Sequence, residues 1–138
     1  MITRAQIRRQ LRQNGGIMNA VPREHYGLGS FLKKADLTST SATTLYTVPT
    51  ATTAVIKSIL VSEDSGNADT ITITLTDADA AVFSLFKTKA ISANATTELL
   101  TAPLVVQESE IVKVTAATAN RLHVVLSALE IKPREVTT

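Results

Sequence analysis

Two histidines, twelve carboxylates and no cysteine are the material for chemistry in this 138-residue chain. His123 stands between Leu122 and Val124, so strand alternation turns it away from those two side chains, to an outer or subunit-facing side. No nucleophile is spaced to work with it, and a solvated or interfacial imidazole is the simpler reading. His25, beside Arg23, Glu24 and Tyr26, reads as a docking contact. The run Glu63-Asp64-Ser65-Gly66-Asn67-Ala68-Asp69 has oxygens enough for calcium, but its spacing is not that of an EF-hand and the same residues make an ordinary hairpin turn. Asp77 and Asp79 could act as paired carboxylates, yet they fall in a four-residue turn, Asp77 to Ala80, with no partner groups nearby in sequence. Gly27-Leu28-Gly29-Ser30 begins like a dinucleotide fingerprint, but it follows no strand, opens no helix and lacks the third glycine. These patterns predict no catalytic residue, no cofactor and no metal.

The elements around these residues are more informative. Residues 44–48, 54–62, 70–76, 81–87, 96–100, 104–106, 111–115 and 122–131 are short runs rich in Val, Ile, Leu and Thr, and many of them alternate. Ile71, Ile73 and Leu75 point one way while Thr70, Thr72, Thr74 and Thr76 point the other. Val82, Ser84 and Phe86 alternate against Phe83, Leu85 and Lys87. Turn residues separate the runs: Asp64 to Asn67, Asp77 to Ala80, Gln107 to Glu110 and Thr118 to Asn120. The pattern predicts an all-β fold, an antiparallel β-sandwich with jelly-roll or Ig-like connections.

The first 34 residues carry seven basic groups and one acidic group, and the remainder carries seven basic and eleven acidic groups, so a +6 arm precedes a −4 body. Such asymmetry calls for an acidic partner. Thr3 and Gln6 form a capping box, Ile2 and Ile7 its hydrophobic staple, and Asn14-Gly15-Gly16 a stop, which predicts one short helix in an otherwise extended arm. Ile7 and Leu11 make only a thin apolar stripe among Arg4, Arg8, Arg9 and Arg12. A helix this short needs a surface to lie against. Residues 17–34 set Met18, Val21, Tyr26, Leu28 and Phe31 among Pro22, Gly27, Gly29 and Ser30 without periodicity, and read as pegs for another subunit's pockets. The predicted division is a basic anchoring arm over 1–36 and a β-sandwich over 37–138. Removal of residues 1–34 should then leave the β domain folded.

Composition sets the outer bounds. Hydrophobic residues make up 44%, aromatic residues only 4%, and tryptophan is absent, which leaves little for stacking on sugars or bases. No apolar run approaches the ~20 residues that span a bilayer, and no apolar stretch follows the N-terminal arginines as in a secretory signal. No membrane contact is expected, and the chain is expected to be made and kept in a cytoplasm until it is assembled.

The stretch from Arg8-Arg9-Gln10 through Asn14-Gly15-Gly16-Ile17 to Val21-Pro22-Arg23-Glu24-His25-Tyr26-Gly27-Leu28-Gly29-Ser30-Phe31-Leu32-Lys33-Lys34 resembles the N-terminal segment of tailed-bacteriophage virion proteins. There, a similar Pro-x-x-x-Tyr-Gly-Leu-Gly motif precedes otherwise different C-terminal parts. The body, from Leu45-Tyr46-Thr47-Val48-Pro49 through residues 52–61 to the closing run 122–131, resembles small β domains of phage head and neck accessory proteins. A segment that precedes different partners acts as an attachment signal.

The resemblance implies a virion protein without settling where on the particle it attaches; the leading expectation is a non-enzymatic head decoration or cement protein docked through its arm on major capsid, portal or neck subunits. A neck or tail component and a carbohydrate or host-recognition module are the alternatives. The expected partner-binding residues are Ile7, Arg8, Arg9, Leu11, Arg12, Met18, Val21, Pro22, Arg23, Tyr26, Gly27, Leu28, Gly29 and Phe31. Nucleic acid is the weaker partner for the arginines, because the body adds no basic face. Thr-rich outer faces and open sheet edges predict self-association, as a trimer.

Overall fold

The structure is a computed structural model and describes residues 26–133. It contains nine strands: β1 Tyr26–Asp36, β2 Thr43–Thr47, β3 Thr53–Glu63, β4 Asp69–Thr76, β5 Val82–Ile91, β6 Thr96–Glu98, β7 Leu104–Val106, β8 Ile111–Ala116 and β9 Leu122–Pro133. There is no helix among the described residues, and the helix expected at residues 3–13 lies outside them. All pairings are antiparallel. One sheet runs β1-β9-β3 and then β6 and β7, which both pair with β3; the other runs β2-β8-β4-β5. The chain changes sheet at most connections, and the two sheets enclose one core.

Period-two patterning explains the core. On β9, Leu122, Val124, Leu126 and Ala128 are buried; on β8, Val112, Val114 and Ala116; on β4, Ile71 and Ile73. The intervening Thr70, Thr72, Thr74 and Thr115 face outward and are half-buried. The threonine face expected on β4 is therefore present, with Leu75 only partly buried beside the core.

Two elements depart from simple alternation because of bulges. On β3 the buried positions are Ala54 and Ile56, then Ile59, Val61 and Glu63; the register shift between Ile56 and Ser58 moves the inward face from even to odd numbers. Without that extra residue at Lys57, Ile59 and Val61 would turn to solvent. On β5, shifts opposite Ile71/Ile73 and Ile73/Thr74 break the expected alternation. Val82, Phe83 and Ser84 are all exposed, and Phe86 packs on the core beside half-buried Leu85.

The four expected turns all separate strands. Gly66 adopts φ 81° between β3 and β4, and Ala80, Ser109 and Asn120 take positive φ in the other three. The Asp77 carboxylate accepts from the N–H groups of Asp79 at 2.9 Å and Ala81 at 2.8 Å, so it builds the β4–β5 turn. Near β6, the Ile59 N–H donates to Glu98 Oε2 at 2.9 Å and the Leu99 N–H to the Ile59 carbonyl at 3.0 Å. A side-chain carboxylate thus fills the gap that separates β6 from β7 along β3.

Residues 26–36, placed in the arm by their charge and glycines, form β1. It pairs without a register shift along β9, from Tyr26 opposite Pro133 to Asp36 opposite His123. Phe31 and Ala35 pack against the core, and Leu37 just beyond is buried within it. The expectation that the β domain survives removal of residues 1–34 does not fit this pairing, because the cut takes away nearly a whole strand. Two glycines and two lysines hid the strand, since neither residue type is favoured in one.

Candidate interaction surface

The register of β1, β9 and β3 sets their outward residues in rows. Leu28 stands opposite Ile131, which faces Thr53; Ser30 opposite Leu129, which faces Val55 and then Val105 of β7. Further along, Leu32 faces Ser127 and Ser58, and Lys34 faces Val125 and Leu60. Leu28 is 69% exposed, Leu32 65%, Val105 56% and Leu60 38%, and Val55, Val125, Leu129 and Ile131 are half-buried. Single exposed apolar residues are ordinary, but a contiguous sheet face of them marks a contact surface. The apolar face is densest along β9 and most exposed along β1.

At one end this face becomes polar. His123 Nε2 lies 3.2 Å from Asp36 Oδ1 and its Nδ1 lies 3.5 Å from Asp64 Oδ2. All three side chains are well exposed, so each contact contributes little to stability, about 0–1 kcal/mol. His123 is outward-facing, as alternation predicted. A carboxylate stands against each ring nitrogen.

The neighbouring Glu63 is 2% exposed and ends β3 with its carboxylate turned back on the chain. It accepts from the backbone N–H groups of Ser65 at 2.8 Å, Gly66 at 3.2 Å, Asn67 at 3.4 Å and, from the β5–β6 turn, Asn94 at 2.8 Å, and also from the Ser65 hydroxyl. Burial alone would raise its pKa; the bonds from Ser65, Asn94 and Asn67 outweigh that and hold it down at about 2. In the calcium reading Glu63 supplied ligand oxygens; here N–H donors occupy them. No group of three or more His, Asp or Glu residues is arranged to hold a metal among the described residues.

At the opposite end, Tyr46 of β2 is 3% exposed and donates its hydroxyl to Glu130 Oε1 of β9 at 2.8 Å. Glu130 Oε2 also faces Lys132 Nζ at 3.5 Å. Burial, and then the bond and charge of Glu130, push the Tyr46 phenol well above its ordinary value. This bond ties the two sheets together. The Tyr46 ring also packs on Phe31, with centroids 5.0 Å apart and a tilt of 46°.

Of the residues expected to bind a partner, Ile7, Arg8, Arg9, Leu11, Arg12, Met18, Val21, Pro22 and Arg23 lie outside the described residues. Tyr26, Gly27, Leu28, Gly29 and Phe31 are brought together on β1. Gly27, Leu28 and Gly29 are exposed, whereas Phe31 turns inward onto Tyr46. The outward residues of β9 and β3 were not singled out, although their alternation against buried neighbours could have found them. A shallow depression of about 330 Å³ lies elsewhere, lined by Asp69, Ile91 and small residues. No aromatic ring lines it, and Asp69 Oδ2 already accepts from the Thr118 N–H at 3.1 Å.

No protein-family model matches the chain, and no curated protein matches it. Solved structures do. A chain from the disulfide-linked pili of Bacillus endospore appendages is similar over 80% of this chain and 90% of its own, with 12% identity and a TM-score of 0.51. A pentameric capsid protein from metagenomic phage sequences is similar over 86% of this chain and 73% of its own, at 16% identity and a TM-score of 0.42. A chain of the cyanophage Pam1 capsid asymmetric unit is similar over 79% and 87%, at 19% identity and a TM-score of 0.41. At such identities the likeness is one of fold: a small antiparallel sandwich, shared with the pilus chain.

Proposed function

We propose that this chain is a non-enzymatic structural component of a phage virion, and that it decorates or cements the head through its N-terminal segment. The observation that carries the reading is the apolar outer face of β1 and β9, which has the character of an assembly surface. Its strand on the free side, β1, contains the Tyr26-Gly27-Leu28-Gly29 motif through which the N-terminal segment resembles phage virion proteins. We read the strand order as a jelly roll, with β6 and β7 as two halves of one strand, an architecture common in capsid proteins. Fold alone assigns no role, so the weight rests on the surface and the motif.

The basic groups before residue 26 steer this segment to carboxylates on major capsid, portal or neck subunits, and its apolar side chains supply the burial. Association with copies of itself belongs to the same proposal.

Particles assembled with the intact chain carrying a C-terminal label, imaged beside particles assembled with residues 26–138 alone, test it. Evenly spread copies over the head, lost when residues 1–25 are removed, are expected. Copies at a single vertex would make it a neck or tail component. Absence from particles, or normal incorporation of residues 26–138, refutes docking through the arm.

A further inference from the structure

Among the described residues the two sheets present four edges, and three of them are obstructed. β2 is five residues long with a bulge between Thr44 and Tyr46. β5 is interrupted by its two register shifts, by positive φ at Thr88 and by Lys87 and Lys89. β6 and β7 are three residues each. β1 differs: eleven residues, an unbroken register, and no charge from Tyr26 through Leu32. A long, regular, apolar edge is a template for another strand.

The direction of its free groups follows from the ladder. Leu37, in register with Leu122, donates its N–H to the Leu122 carbonyl at 3.0 Å. Odd-numbered residues of β1 therefore turn their N–H and C=O toward β9, and Leu28, Ser30 and Lys34, with Leu32 between them, turn theirs to the open side. The geometry points to a second copy of this chain as the occupant: β1 pairs antiparallel with β1 of its partner about a two-fold axis at Ser30, joining two five-stranded sheets into one. This inference is independent of where on a particle the protein sits.

The register is selected by side chains. Centred on Ser30, each Leu28 meets Leu32 of the other copy, so the two most exposed leucines cover each other on the outer face. On the inner face Phe31 meets Gly29 and Lys33 meets Gly27; a Cβ at Gly29 would have nothing within 4 Å, so the space for the larger side chain is present. Lys34 falls opposite Tyr26, and no lysine opposes a lysine. Centring on Phe31 would set Leu28 against Lys34, and centring on Leu32 would set it against Asp36. Of these three registers the Ser30 one is complementary to itself, as a two-fold contact requires.

Because the sequence has no cysteine, single replacements report the register directly. Facing Cα atoms in a hydrogen-bonded pair are ~5.5 Å apart, within disulfide reach. Under mild oxidation Ser30→Cys in the full chain should give a covalent dimer. Leu28→Cys mixed with Leu32→Cys should give a mixed dimer, while either alone should give little, its two copies being ~13 Å out of register. Ser30→Pro should weaken the dimer roughly tenfold to a hundredfold, since it deletes two symmetry-related edge hydrogen bonds. It removes no bond to β9, and circular dichroism should show an intact fold. Leu32→Lys, a change at an exposed position, gives the same readout should the proline disturb the strand. A monomer by light scattering at high micromolar concentration, a three-fold mass unaffected by Leu32→Lys, or self-crosslinking of Leu28→Cys as strong as that of the mixture overturns the inference.

Discussion

Replacing Tyr46 by Phe isolates the one hydrogen bond between side chains of the two sheets among the described residues. The ring stays, so the packing on Phe31 at 5.0 Å and the core volume are kept, and only the hydroxyl is lost. The bond it makes is 2.8 Å long, its donor is 3% exposed and its acceptor belongs to a side chain 21% exposed. A hydrogen bond to a charged acceptor contributes about 1.5–3 kcal/mol. Glu130 keeps Lys132 at 3.5 Å and some access to water, which places the loss at the lower end, about 1.5–2 kcal/mol. Urea unfolding should show a midpoint lowered by roughly 1 M at an unchanged slope. Glu130→Leu, which removes the acceptor, and the double variant complete a cycle, in which the pair should couple by about 1 kcal/mol or more. A loss below about 0.5 kcal/mol, or additive effects, would refute the claim that this bond joins the sheets.

Two further outcomes follow from the same geometry. Glu63 is held at about 2 in the fold against an ordinary 4.5, so at pH values between these the unfolded chain takes up a proton that the folded one does not. Stability should be level above pH 4.5 and fall as the pH is lowered toward 2, and Glu63→Gln should flatten that fall; urea midpoints across the range measure it. Leu126→Ala, in the middle of β9 with no exposure, should cost about 2–5 kcal/mol by thermal or urea unfolding, because the tight core around it leaves a cavity.

What the residues made legible was local. The eight β-branched runs became β2 to β9, and most carry their own inward-outward pattern, as in Thr70 to Thr76 or Leu122 to Ala128. The turns at Asp64, Asp77, Gln107 and Thr118 were legible for the same reason, since Asp, Asn, Ser and Gly act within a few residues. His123 on the outer side followed from its two neighbours alone.

The candidate surface was only half legible. Leu28 and Gly29 were singled out for an arm, yet β1 exists because β9 offers it a continuous ladder, a contact between residues about a hundred positions apart in register. Nor could local pattern show that one extra residue at Lys57 returns Ile59 and Val61 to the core, or that Leu45 and Tyr46 are both buried across the shift in β2.

The sequence by itself determined the strand-forming segments, their turns, and the separation of a basic N-terminal stretch from an acidic body. Tertiary structure alone decided which strands neighbour each other, which edge stays open among the described residues, and which distant carboxylates meet their donors: Glu130 with Tyr46 across 84 positions, and Glu63 with Asn94 across 31. The physical reason is range. Propensity and alternation act over a few residues, whereas register, bulges and buried hydrogen bonds are set only when strands far apart in the chain pack into one core.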